Sequence, residues 1–551
     1  MSEVASAETP TGQGNGDRRL AKGATVRDAA LEVMRRHGLT TIFGNPGSTE
    51  IAFLTDLPSD IRFVLGLHEG SVVGMASGYA LARGEPAFVN LHTAAGLGNA
   101  VNAIANARDC RAPLVILVGQ QDRRQIAFEP FLTGRALERL AGEYPVWRHV
   151  PSRGQDVPGA IARAYHEAKA ARGPALLVVP MGDWLEPADE LAAGAPAKVL
   201  RPHSVEPPQM EELAEMLAGA QSPAIVVGAV GEGSEGWEAV VALAERLRCP
   251  VWQEPFTRTV SFPQDHPLFA GHLAWQRRLM HDALAPYDVV LTVGTNAFRA
   301  YLFDEPVGVV EPDTRVAVLT ADQAEAHRSP CELAVVAPVA AACRALVEQL
   351  PERAGNPPEP VRRPARLAPP SAGEPLRPGH VLDALAERLP DDVLLVEECP
   401  SSQPELYQRV PVRIPFGYLS TANGCLGFGL AGSIGLRMGL PDRPVVAVLG
   451  DGSTMYAIQA LWSAAHYDVG VLLIVLANGR YAVMDALAGR HGGTGAWPGF
   501  ESVDIGGLAR SLGCPAVRVE TYEELVQTLD ETLDGLAGRR EPLVVEAVVG
   551  G

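Results

Sequence analysis

An aspartate and an asparagine follow two hydrophobic runs near the carboxyl end of this 551-residue chain. The run Pro444–Leu449 ends at Gly-Asp-Gly, which contains Asp451, and the run Val471–Ala477 ends at Asn-Gly, which contains Asn478. A helical pattern from Met455 to about Tyr467 joins the runs, which predicts one β-α-β unit that returns both loops to the same sheet edge. We therefore expect Asp451 and Asn478 to lie close together.

These residue types suit a magnesium ion held against a diphosphate. A carboxylate, an amide oxygen and a nearby main-chain carbonyl are hard oxygen ligands of the kind that Mg²⁺ prefers. Gly450 and Gly452 allow tight turns, and a helix starting near Ser453 offers free N–H groups to phosphate oxygens. Gly-Asp-Gly alone is also a common turn, so the prediction depends on its spacing from Asn-Gly.

The elements that position these loops belong to a repeated α/β pattern. From about Ala24 onward, short β-rich runs alternate with helical patterns, which favours parallel sheets covered by helices. We predict an α/β protein with three doubly wound parallel-sheet domains, whose ligands bind at the carboxyl ends of strands. The predicted parts are a disordered tail (1–22), a first domain (23–202), a central domain (203–350), a linker containing eight prolines (351–376) and a last domain (377–551).

Composition excludes several classes of protein. The chain is 47% hydrophobic and 20% charged and holds no long uncharged apolar stretch, which indicates a cytoplasmic globular protein that does not span a membrane. A formal net charge of −19 argues against nucleic-acid or anionic-membrane partners. Seven widely spaced cysteines without a CxxC pair suggest neither a disulfide framework nor a zinc site. The polar tail lacks the apolar region of a signal peptide.

The paired strand-end motif resembles the diphosphate and metal motif of thiamine-diphosphate enzymes. The resemblance implies that Asp451, Asn478 and the main-chain carbonyl of Arg480 ligate Mg²⁺. One position departs from the family pattern, because the first of the usual paired asparagines is Ala477 here. Since the second asparagine carries the ligand, we expect metal binding to persist.

A thiamine cofactor also requires a buried carboxyl group hydrogen-bonded to its aminopyrimidine ring. Glu69, in "RFVLGLHEGSVVGMASGYALARG", follows a strand pattern and opens a helical one, so it meets this requirement. Taken alone, a glutamate at a helix N-terminus is better explained by the helix dipole.

Three segments favour the cofactor-binding role of Glu69, because all three match the same family. "FGNPGSTEIAFL" (43–54), "LHEGSVVGMASGYA" (67–80) and "NLHTAAGLGNAVNAIANA" (90–107) are similar to the N-terminal domain of benzoylformate decarboxylases, within the thiamine-diphosphate-dependent decarboxylase and carboligase superfamily. The similarity continues through "FGLAGSIG" and covers nearly the whole chain after the tail. It implies that the first domain binds the pyrimidine and the last domain binds the diphosphate.

The resemblance implies a role for each matching residue. Glu69 would activate the cofactor, Ser48 would contact the substrate carboxylate or carbonyl, and His92 would transfer protons or orient the carbonyl. Besides Glu69, the implied cofactor-binding residues are Ser401, Gly424, Leu426, Asp451, Gly452, Ser453, Tyr456 and Asn478.

Two of these residues shape the cofactor. Leu426 would prop it into its bent form, and the Gly424 carbonyl would accept a hydrogen bond from its exocyclic amine. Structural alternatives stay open at several positions: Ser48 as a helix N-cap, His92 as a hydrogen-bonded residue at a strand end, and Leu426 as ordinary core.

The proton donor departs from the benzoylformate decarboxylases. Their second active-site histidine is matched in "GTNAFRAYLFDEP" by Tyr301, which we retain as a candidate catalytic residue. A phenol with a pKa of ~10 is a poorer proton shuttle at neutral pH than imidazole. His272 is either a substitute donor by position or a structural histidine.

The substrate pocket departs as well. The aromatic wall that the family has after the metal motif is matched by Leu487 and Val483, and an aromatic residue before Leu426 is matched by Ser420. Asn423 adds another polar group. The loss of two rings and the gain of a hydroxyl and an amide favour a substrate that is smaller or more polar than an arylglyoxylate.

These observations predict a non-oxidative decarboxylase of a 2-oxo acid. The alternative is a carboligase that adds the decarboxylated fragment to an acceptor aldehyde and yields a 2-hydroxyketone or acetolactate-like product, which weak protonation by Tyr301 would favour. A third hypothesis is a non-catalytic relative, although the presence of Glu69, Asp451 and Asn478 speaks against it. No flavin signature is evident in 203–350.

The implied site requires more than one subunit. In the family, the pyrimidine-binding domain of one subunit meets the diphosphate-binding domain of another. We therefore expect a homodimer or homotetramer in which Glu69 and His92 face Asp451 and Asn478 across an interface.

Overall fold

The computed structural model describes residues 22–189, 199, 204–231, 233–301, 303, 307–354, 361–371 and 373–550. Residues 1–21 of the predicted tail therefore lie outside the described residues. The described chain forms three six-stranded sheets, and every pair of neighbouring strands in them is parallel. The predicted α/β class with three parallel-sheet domains is confirmed. Among the described residues, no helix is both long and apolar enough to traverse a bilayer.

The first sheet precedes residue 190 and has the order β2-β1-β3-β4-β6-β5. Its strands are β1 (Thr41–Asn45), β2 (Arg62–Leu65), β3 (Ala87–Leu91), β4 (Leu114–Gln120), β5 (Trp147–His149) and β6 (Pro174–Pro180). Its helices are α1 (Val26–Arg36), α2 (Ile51–Leu54), α3 (Glu69–Arg83), α4 (Thr93–Asp109), α5 (Leu137–Leu140) and α6 (Val157–Ala171).

The central sheet has a different order, β12-β11-β10-β7-β8-β9. Its strands are β7 (Pro223–Val227), β8 (Val251–Gln253), β9 (Phe269–His272), β10 (Val289–Val293), β11 (Arg315–Thr320) and β12 (Leu333–Val336). Its helices are α7 (Glu211–Gly219), α8 (Ser234–Leu247), α9 (Arg277–Leu284), α10 (Gln323–His327) and α11 (Val339–Gln349).

The last sheet has the order β14-β13-β15-β16-β18-β17. Its strands are β13 (Leu394–Glu398), β14 (Tyr418–Ser420), β15 (Val445–Gly450), β16 (Leu472–Ala477), β17 (Ala516–Val519) and β18 (Leu543–Val548). Its helices are α12 (Pro378–Ala386), α13 (Gln403–Arg409), α14 (Phe428–Gly439), α15 (Asp451–Met455), α16 (Ala460–His466), α17 (Ala482–Arg490), α18 (Ile505–Ser511) and α19 (Tyr522–Leu533).

The first and last sheets share one topology, since both place their strands in the relative order 2-1-3-4-6-5. The order reverses between β1 and β3 in the first sheet and between β13 and β15 in the last. Loops diverge at such switch points and leave a crevice beyond the carboxyl ends of the strands. The two crevices contain different parts of the predicted site: Ser48 and His92 follow β1 and β3, whereas Ser401 and Asp451 follow β13 and β15.

The linker between the central and last sheets lies against both of them. Its described residues form neither helix nor strand before Leu376, which makes an isolated bridge with Val549. Arg363 donates hydrogen bonds to the main-chain carbonyls of Gln264 and Gln408. Each sheet falls inside one predicted domain range, and the boundary residues themselves stay a prediction.

Two local predictions need correction. The helical pattern expected from Met455 to Tyr467 is divided into α15 and α16, and α15 begins at Asp451, two positions before the expected Ser453. The aspartate therefore belongs to the first turn of a helix that directly continues β15.

Helices α3 and α14 join the first and last domains at very close range. A methyl group added at Gly435 would overlap the carbonyl oxygen of Met75, and one added at Gly78 would overlap that of Gly432. Only hydrogen fits on these α-carbons. The contact also merges the buried apolar side chains of both domains, such as Val72 and Ala431, into one core.

Substituting Gly435→Ala should destabilise the protein by about 1–3 kcal/mol, because the added methyl must push α14 away from α3. The measurement is the midpoint of thermal unfolding by circular dichroism. Gly159→Ala is the matched control, since Gly159 is an exposed residue of α6 with no atom near the new methyl, and it should be neutral or stabilising by about 0.5–1 kcal/mol. Equal midpoints for the two variants would contradict the packing argument.

Candidate active site

A cavity of about 800 Å³ opens beyond the carboxyl ends of β13, β15 and β16. Its floor comes from the last domain and one wall comes from the central domain. All predicted residues of the last domain line it: Ser401, Gly424, Leu426, Asp451, Gly452, Ser453, Tyr456, Asn478 and Arg480. The structure thus brings together the residues that the sequence placed at separate strand ends.

Asp451 is anchored by the main chain around it. Its Oδ1 accepts a hydrogen bond of 2.7 Å from Gly452 N–H, and its Oδ2 accepts one of 2.7 Å from Gly479 N–H. The side chain is 6% exposed, and burial raises the pKa of Asp451 above its usual value against the effect of these N–H donors. None of the described residues pairs this carboxylate with a cationic side chain, so a bound cation would offset its burial.

Asn478 and Arg480 follow β16 on the opposite side of the same loop cluster. The Asn478 side-chain oxygen accepts a 3.2 Å hydrogen bond from Arg480 N–H, and Gly479 between them has a φ of +67°. The Asp451 hydrogen bond to Gly479 ties this turn to the start of α15. A carboxylate, an amide oxygen and turn carbonyls therefore lie in one cluster, which is a donor set that fits Mg²⁺.

Small residues keep the phosphate side of the cavity open. A methyl on Gly452 would meet the ring of Tyr481 at 2.7 Å, so this position has no room for a side chain. Ser453 is buried in the first turn of α15, whereas Tyr456 is exposed at its end. Ser401 accepts a 3.2 Å hydrogen bond from Val483 N–H, which fixes its hydroxyl at the cavity wall.

The segment 420–428, here called the cofactor loop, carries Gly424 and Leu426. Gly424 has a φ of +73°, a conformation that favours glycine, and no atom lies within 4 Å of the place where its side chain would start. The loop therefore has no packing contact at Gly424 itself. Its position is decided by the residues that hold it on either side.

Two adjacent carboxyl groups at the end of β13 also face this region. Glu398 accepts hydrogen bonds from Gly427 N–H at 2.7 Å and Gly429 N–H at 2.6 Å, so it caps the start of α14. Glu397 accepts hydrogen bonds from four donors: Cys399 N–H, Gln403 Nε2, Tyr418 Oη and Ser420 Oγ. Burial raises the pKa of Glu398 to about 7.

Glu69 opens α3 in the first domain and is 7% exposed. Each carboxylate oxygen accepts a 3.0 Å hydrogen bond from an asparagine side chain, Oε1 from Asn45 and Oε2 from Asn99. A residue that merely used the helix dipole would need neither partner. The carboxyl group is instead held in one orientation by two neutral donors.

His92 is held in a second cluster at the β1–β3 switch point. Its Nδ1 lies 3.1 Å from Oε2 of Glu50 and 3.0 Å from Oγ1 of Thr49. Glu50 is 1% exposed and also accepts a 2.7 Å hydrogen bond from Gly47 N–H. Nδ1 is therefore engaged by Glu50 and Thr49, and both contacts fix the orientation of the imidazole ring. Ser48 lies exposed on the same turn.

These first-domain residues do not join the cavity within a single chain. Glu69, His92 and Ser48 are absent from its described lining. Each half of the predicted site is therefore formed, but one chain does not bring the halves together.

Tyr301 lies in the central-domain wall of the cavity and is 61% exposed. Its ring makes T-shaped contacts with Phe256 and Trp275 at centroid distances of 6.2 and 5.6 Å. His272 is outside the described cavity lining and stacks on Tyr407 at 3.7 Å. Burial lowers the pKa of His272 to about 3, so it is neutral, which favours its structural explanation.

The aromatic content of the cavity differs from the sequence expectation. Leu487 and Ser420 line it in place of rings, but rings enter from elsewhere: Phe256, Trp275, Tyr301, Tyr407, Tyr481 and Trp497. Two of these, Phe256 and Trp275, come from central-domain loops that no sequence pattern connects to the site. The loss of rings on one wall is offset by rings on another.

Sequence reasoning missed several carboxyl and amide groups of the site, among them Glu50, Glu397, Glu398 and Asn99. Glu50, Glu398 and Asn99 each bond directly to a predicted site residue or loop, and Glu397 lines the cavity. The adjacent glutamates at the end of a predicted buried strand were a usable signal, because buried carboxyl groups at a strand end are costly unless they are hydrogen-bonded. No such signal marked Asn99, whose partner depends on the tertiary fold.

Comparison with known proteins agrees with this geometry. Family models described as the N-terminal, central and C-terminal domains of thiamine pyrophosphate enzymes match residues 24–136, 210–346 and 401–547, respectively, and the two outer ones are described as binding thiamine pyrophosphate. A benzoylformate decarboxylase of Pseudomonas aeruginosa is 40% identical over 516 residues, which are 92% of this chain and 96% of that protein.

More distant relatives include enzymes of both reaction types. A probable 2-ketoarginine decarboxylase of Pseudomonas aeruginosa is 27% identical over 92% of each chain, and an acetolactate synthase large subunit of Escherichia coli is 26% identical over 93% of each. Among solved structures, a thiamine diphosphate-dependent 4-hydroxybenzoylformate decarboxylase of Rhodococcus jostii superposes with a TM-score of 0.90 at 34% identity, covering 96% of this chain and 99% of its own.

Glu398 should make stability depend on pH in a defined direction. Its folded-state pKa of about 7 exceeds the ordinary value of 4.5, so the folded protein binds more protons between these limits. The free energy of unfolding should therefore fall as pH rises from about 4.5 to about 7, by up to about 3 kcal/mol from this group. Glu398→Gln should make this fall shallower, measured as thermal midpoints of cofactor-free protein at pH 5 and pH 7.5.

The matched control is Glu523→Gln, which changes an exposed glutamate in the first turn of α19. It should leave the difference between the two midpoints unchanged. If the midpoints of the Glu398→Gln variant differ between pH 5 and pH 7.5 as much as those of the parent protein, Glu398 does not cause the pH dependence of stability.

Proposed function

The chain belongs to the thiamine pyrophosphate enzymes, and on that basis we propose that it catalyses the non-oxidative decarboxylation of a 2-oxo acid to an aldehyde and CO₂. The observation that carries this proposal is Glu69, a buried carboxyl group whose two oxygens are held by Asn45 and Asn99. A protein that only retained the fold would have no use for a carboxyl group fixed in this way, so we reject a non-catalytic relative.

The last domain provides the residues that would hold the cofactor. Asp451, Asn478 and the Arg480 carbonyl would bind Mg²⁺, and Ser453, Tyr456 and Ser401 would bind the diphosphate. Thiamine diphosphate supplies a nucleophilic thiazolium carbon and an electron sink for the bond that releases CO₂. Leu426 and the Gly424 carbonyl would set the shape and orientation of the pyrimidine.

The first domain provides the acid–base groups. Glu69 would exchange a proton with the pyrimidine nitrogen, which is the role that its fixed orientation supports. His92 would use Nε2 toward the substrate because Nδ1 is committed to Glu50. Ser48, exposed beside them, would donate a hydrogen bond to the substrate carboxylate.

The cavity supports a substrate that is more polar, rather than smaller, than an arylglyoxylate. The cavity of one chain, which the first domain of another subunit would complete, has a volume of about 800 Å³ and is lined by several aromatic rings. The rings of Phe256 and Trp275 offer apolar contact, and the hydroxyl of Ser420 and the amide of Asn423 offer hydrogen bonds. We propose a 2-oxo acid whose side chain combines a ring with a polar substituent.

Carboligation is the second candidate activity. The central domain offers Tyr301 where the benzoylformate decarboxylases have a second active-site histidine. A phenol transfers protons less readily at neutral pH than an imidazole, so His92 of the other subunit would have to serve alone. Slow protonation leaves time for an acceptor aldehyde to react, and acetolactate synthases are among the relatives.

Purified protein given thiamine diphosphate and Mg²⁺ should convert at least one member of a 2-oxo acid panel to its aldehyde and, with an acceptor aldehyde present, also to a 2-hydroxyketone. Mass spectrometry of the products distinguishes the two reactions. Glu69→Gln should reduce turnover by about 10²–10⁴-fold while the protein still takes up the cofactor. Aldehyde alone would remove the carboligase proposal, and unchanged turnover in the Glu69→Gln variant would remove the proposed mechanism.

We further propose that the working enzyme is a dimer, or a dimer of dimers, in which the first domain of one subunit completes the cavity of another. One observation within a single chain supports this arrangement: Glu69, His92 and Ser48 are not among the described residues that line the cavity. Exposed apolar side chains in the same domain, Phe128 and Phe131, are available for such an interface.

Co-expression of two inactive variants provides a direct test. Chains carrying Glu69→Gln and chains carrying Asp451→Ala should each form inactive assemblies. A mixed dimer places both defects in one site and leaves the other intact, so random pairing should restore about a quarter of the parent activity. Purification through two different affinity tags isolates the mixed species, whose activity should be about half. Activity no higher than that of the single variants would show that each site lies within one chain.

A further inference from the structure

The cofactor loop is held from outside its own domain by two asparagines of α4. Asn106 Nδ2 donates a 2.9 Å hydrogen bond to the carbonyl of Cys425, and Asn102 Nδ2 donates a 3.0 Å hydrogen bond to the carbonyl of Leu426. Asn106 is 2% exposed, so replacing its amide would leave a buried loop carbonyl without its partner. These bonds connect the first domain directly to the loop that lines the cavity.

Asn106 binds the loop at both ends of its side-chain amide. While its nitrogen holds Cys425, its Oδ1 lies 2.9 Å from the hydroxyl of Thr421. Thr421 lies three residues before Gly424 and Cys425 one residue after it, and Gly424 has a φ of +73° and open space where a side chain would start. The position of the Gly424 carbonyl therefore depends on the two points that Asn106 fixes.

Other contacts to the loop act on different atoms. Arg299 of the central domain donates a 2.6 Å hydrogen bond to the carbonyl of Ala422, and Glu398 accepts the N–H groups of Gly427 and Gly429. Asn423 Oδ1 accepts Cys425 N–H within the loop. None of these holds the carbonyl of Cys425, so they do not replace Asn106.

Helix α4 also supports Glu69, because Asn99 is one of the two donors to its carboxylate. Asn99 and Asn106 lie about two helical turns apart on the same helix. Helix α4 thus holds Glu69 and the cofactor loop of the same chain, which in the proposed dimer would belong to two different sites.

We propose that Asn106 is a positioning residue for the pyrimidine half of thiamine diphosphate, acting through the carbonyl of Gly424 and the side chain of Leu426. The inference rests on the proposed function. It predicts that Asn106 contributes to affinity for the whole cofactor but not to affinity for its diphosphate, which Asp451 and Asn478 would hold through Mg²⁺.

The experiment compares two ligands by calorimetry on cofactor-free full-length protein: thiamine diphosphate with Mg²⁺, and inorganic diphosphate with Mg²⁺. Asn106→Leu removes both polar ends at nearly constant volume and should weaken thiamine diphosphate binding at least about tenfold, because buried loop partners are left unsatisfied. Binding of inorganic diphosphate should change by less than about twofold. With saturating cofactor, kcat should fall while KM for the 2-oxo acid stays constant.

Thr421→Val provides a milder variant should Asn106→Leu not fold. It removes the hydroxyl contact from the loop side and should shift the affinity for thiamine diphosphate in the same direction by a smaller factor. Ser77→Ala is the matched control, since it deletes a buried hydrogen bond within α3, from Ser77 Oγ to the carbonyl of Val73, without touching the loop. It should leave both affinities unchanged.

Two results would overturn the proposal while the parent protein still binds the cofactor and decarboxylates. One is an equal loss of affinity for both ligands, which would indicate a merely structural role, and the other is no loss for either. A parent protein that takes up no thiamine diphosphate would instead overturn the proposed function and this inference with it.

Discussion

The close contact between α3 and α14 is the constraint on which the rest of the structure depends. At Gly78 and Gly435 the backbone of one helix occupies the space in which the other would carry a side chain. Glu69 is the first residue of α3, and Leu426 lies two residues before α14. Closely packed interiors transmit small displacements. The separation of α3 and α14 therefore also sets the positions of Glu69 and of the cofactor loop.

The first and last sheets have the same strand order, so the two domains that α3 and α14 hold together are built alike. The two domains present the same topological features, a switch-point crevice and a following helix, but fill them with different chemistry. In the first domain these places hold carboxyl groups beside a histidine, whereas in the last domain they hold carboxyl groups beside glycine turns and the amide of Asn478. Equivalent positions of two sheets with the same strand order thus carry different groups, which the proposed assembly would combine in one site.

Buried carboxyl groups occur in both the first and the last domain, and each has a different set of hydrogen-bond partners. Glu69 is held by two side-chain amides, Glu50 by a histidine and a main-chain N–H, and Glu398 by two main-chain N–H groups. A buried carboxyl group is costly without such partners, so these networks stabilise the buried groups and fix the orientation of their side chains. Pre-organised groups of this kind need little rearrangement when a substrate binds.

The amino-acid sequence by itself determined the fold class, the inner strands and the residues at their carboxyl ends, because continuous apolar runs and glycine-flanked loops are local features. It did not reveal β5, β9, β14 and β17, all of which are edge strands of three or four residues with one open side and therefore no distinctive pattern. Only the tertiary structure decided that Asn106 meets Cys425, that Phe256 and Trp275 face the cavity, and that Glu69 stays out of it. These contacts depend on how whole domains pack against each other. Domain packing brings together residues that are far apart in the chain, so the local spacing of residues does not reveal it.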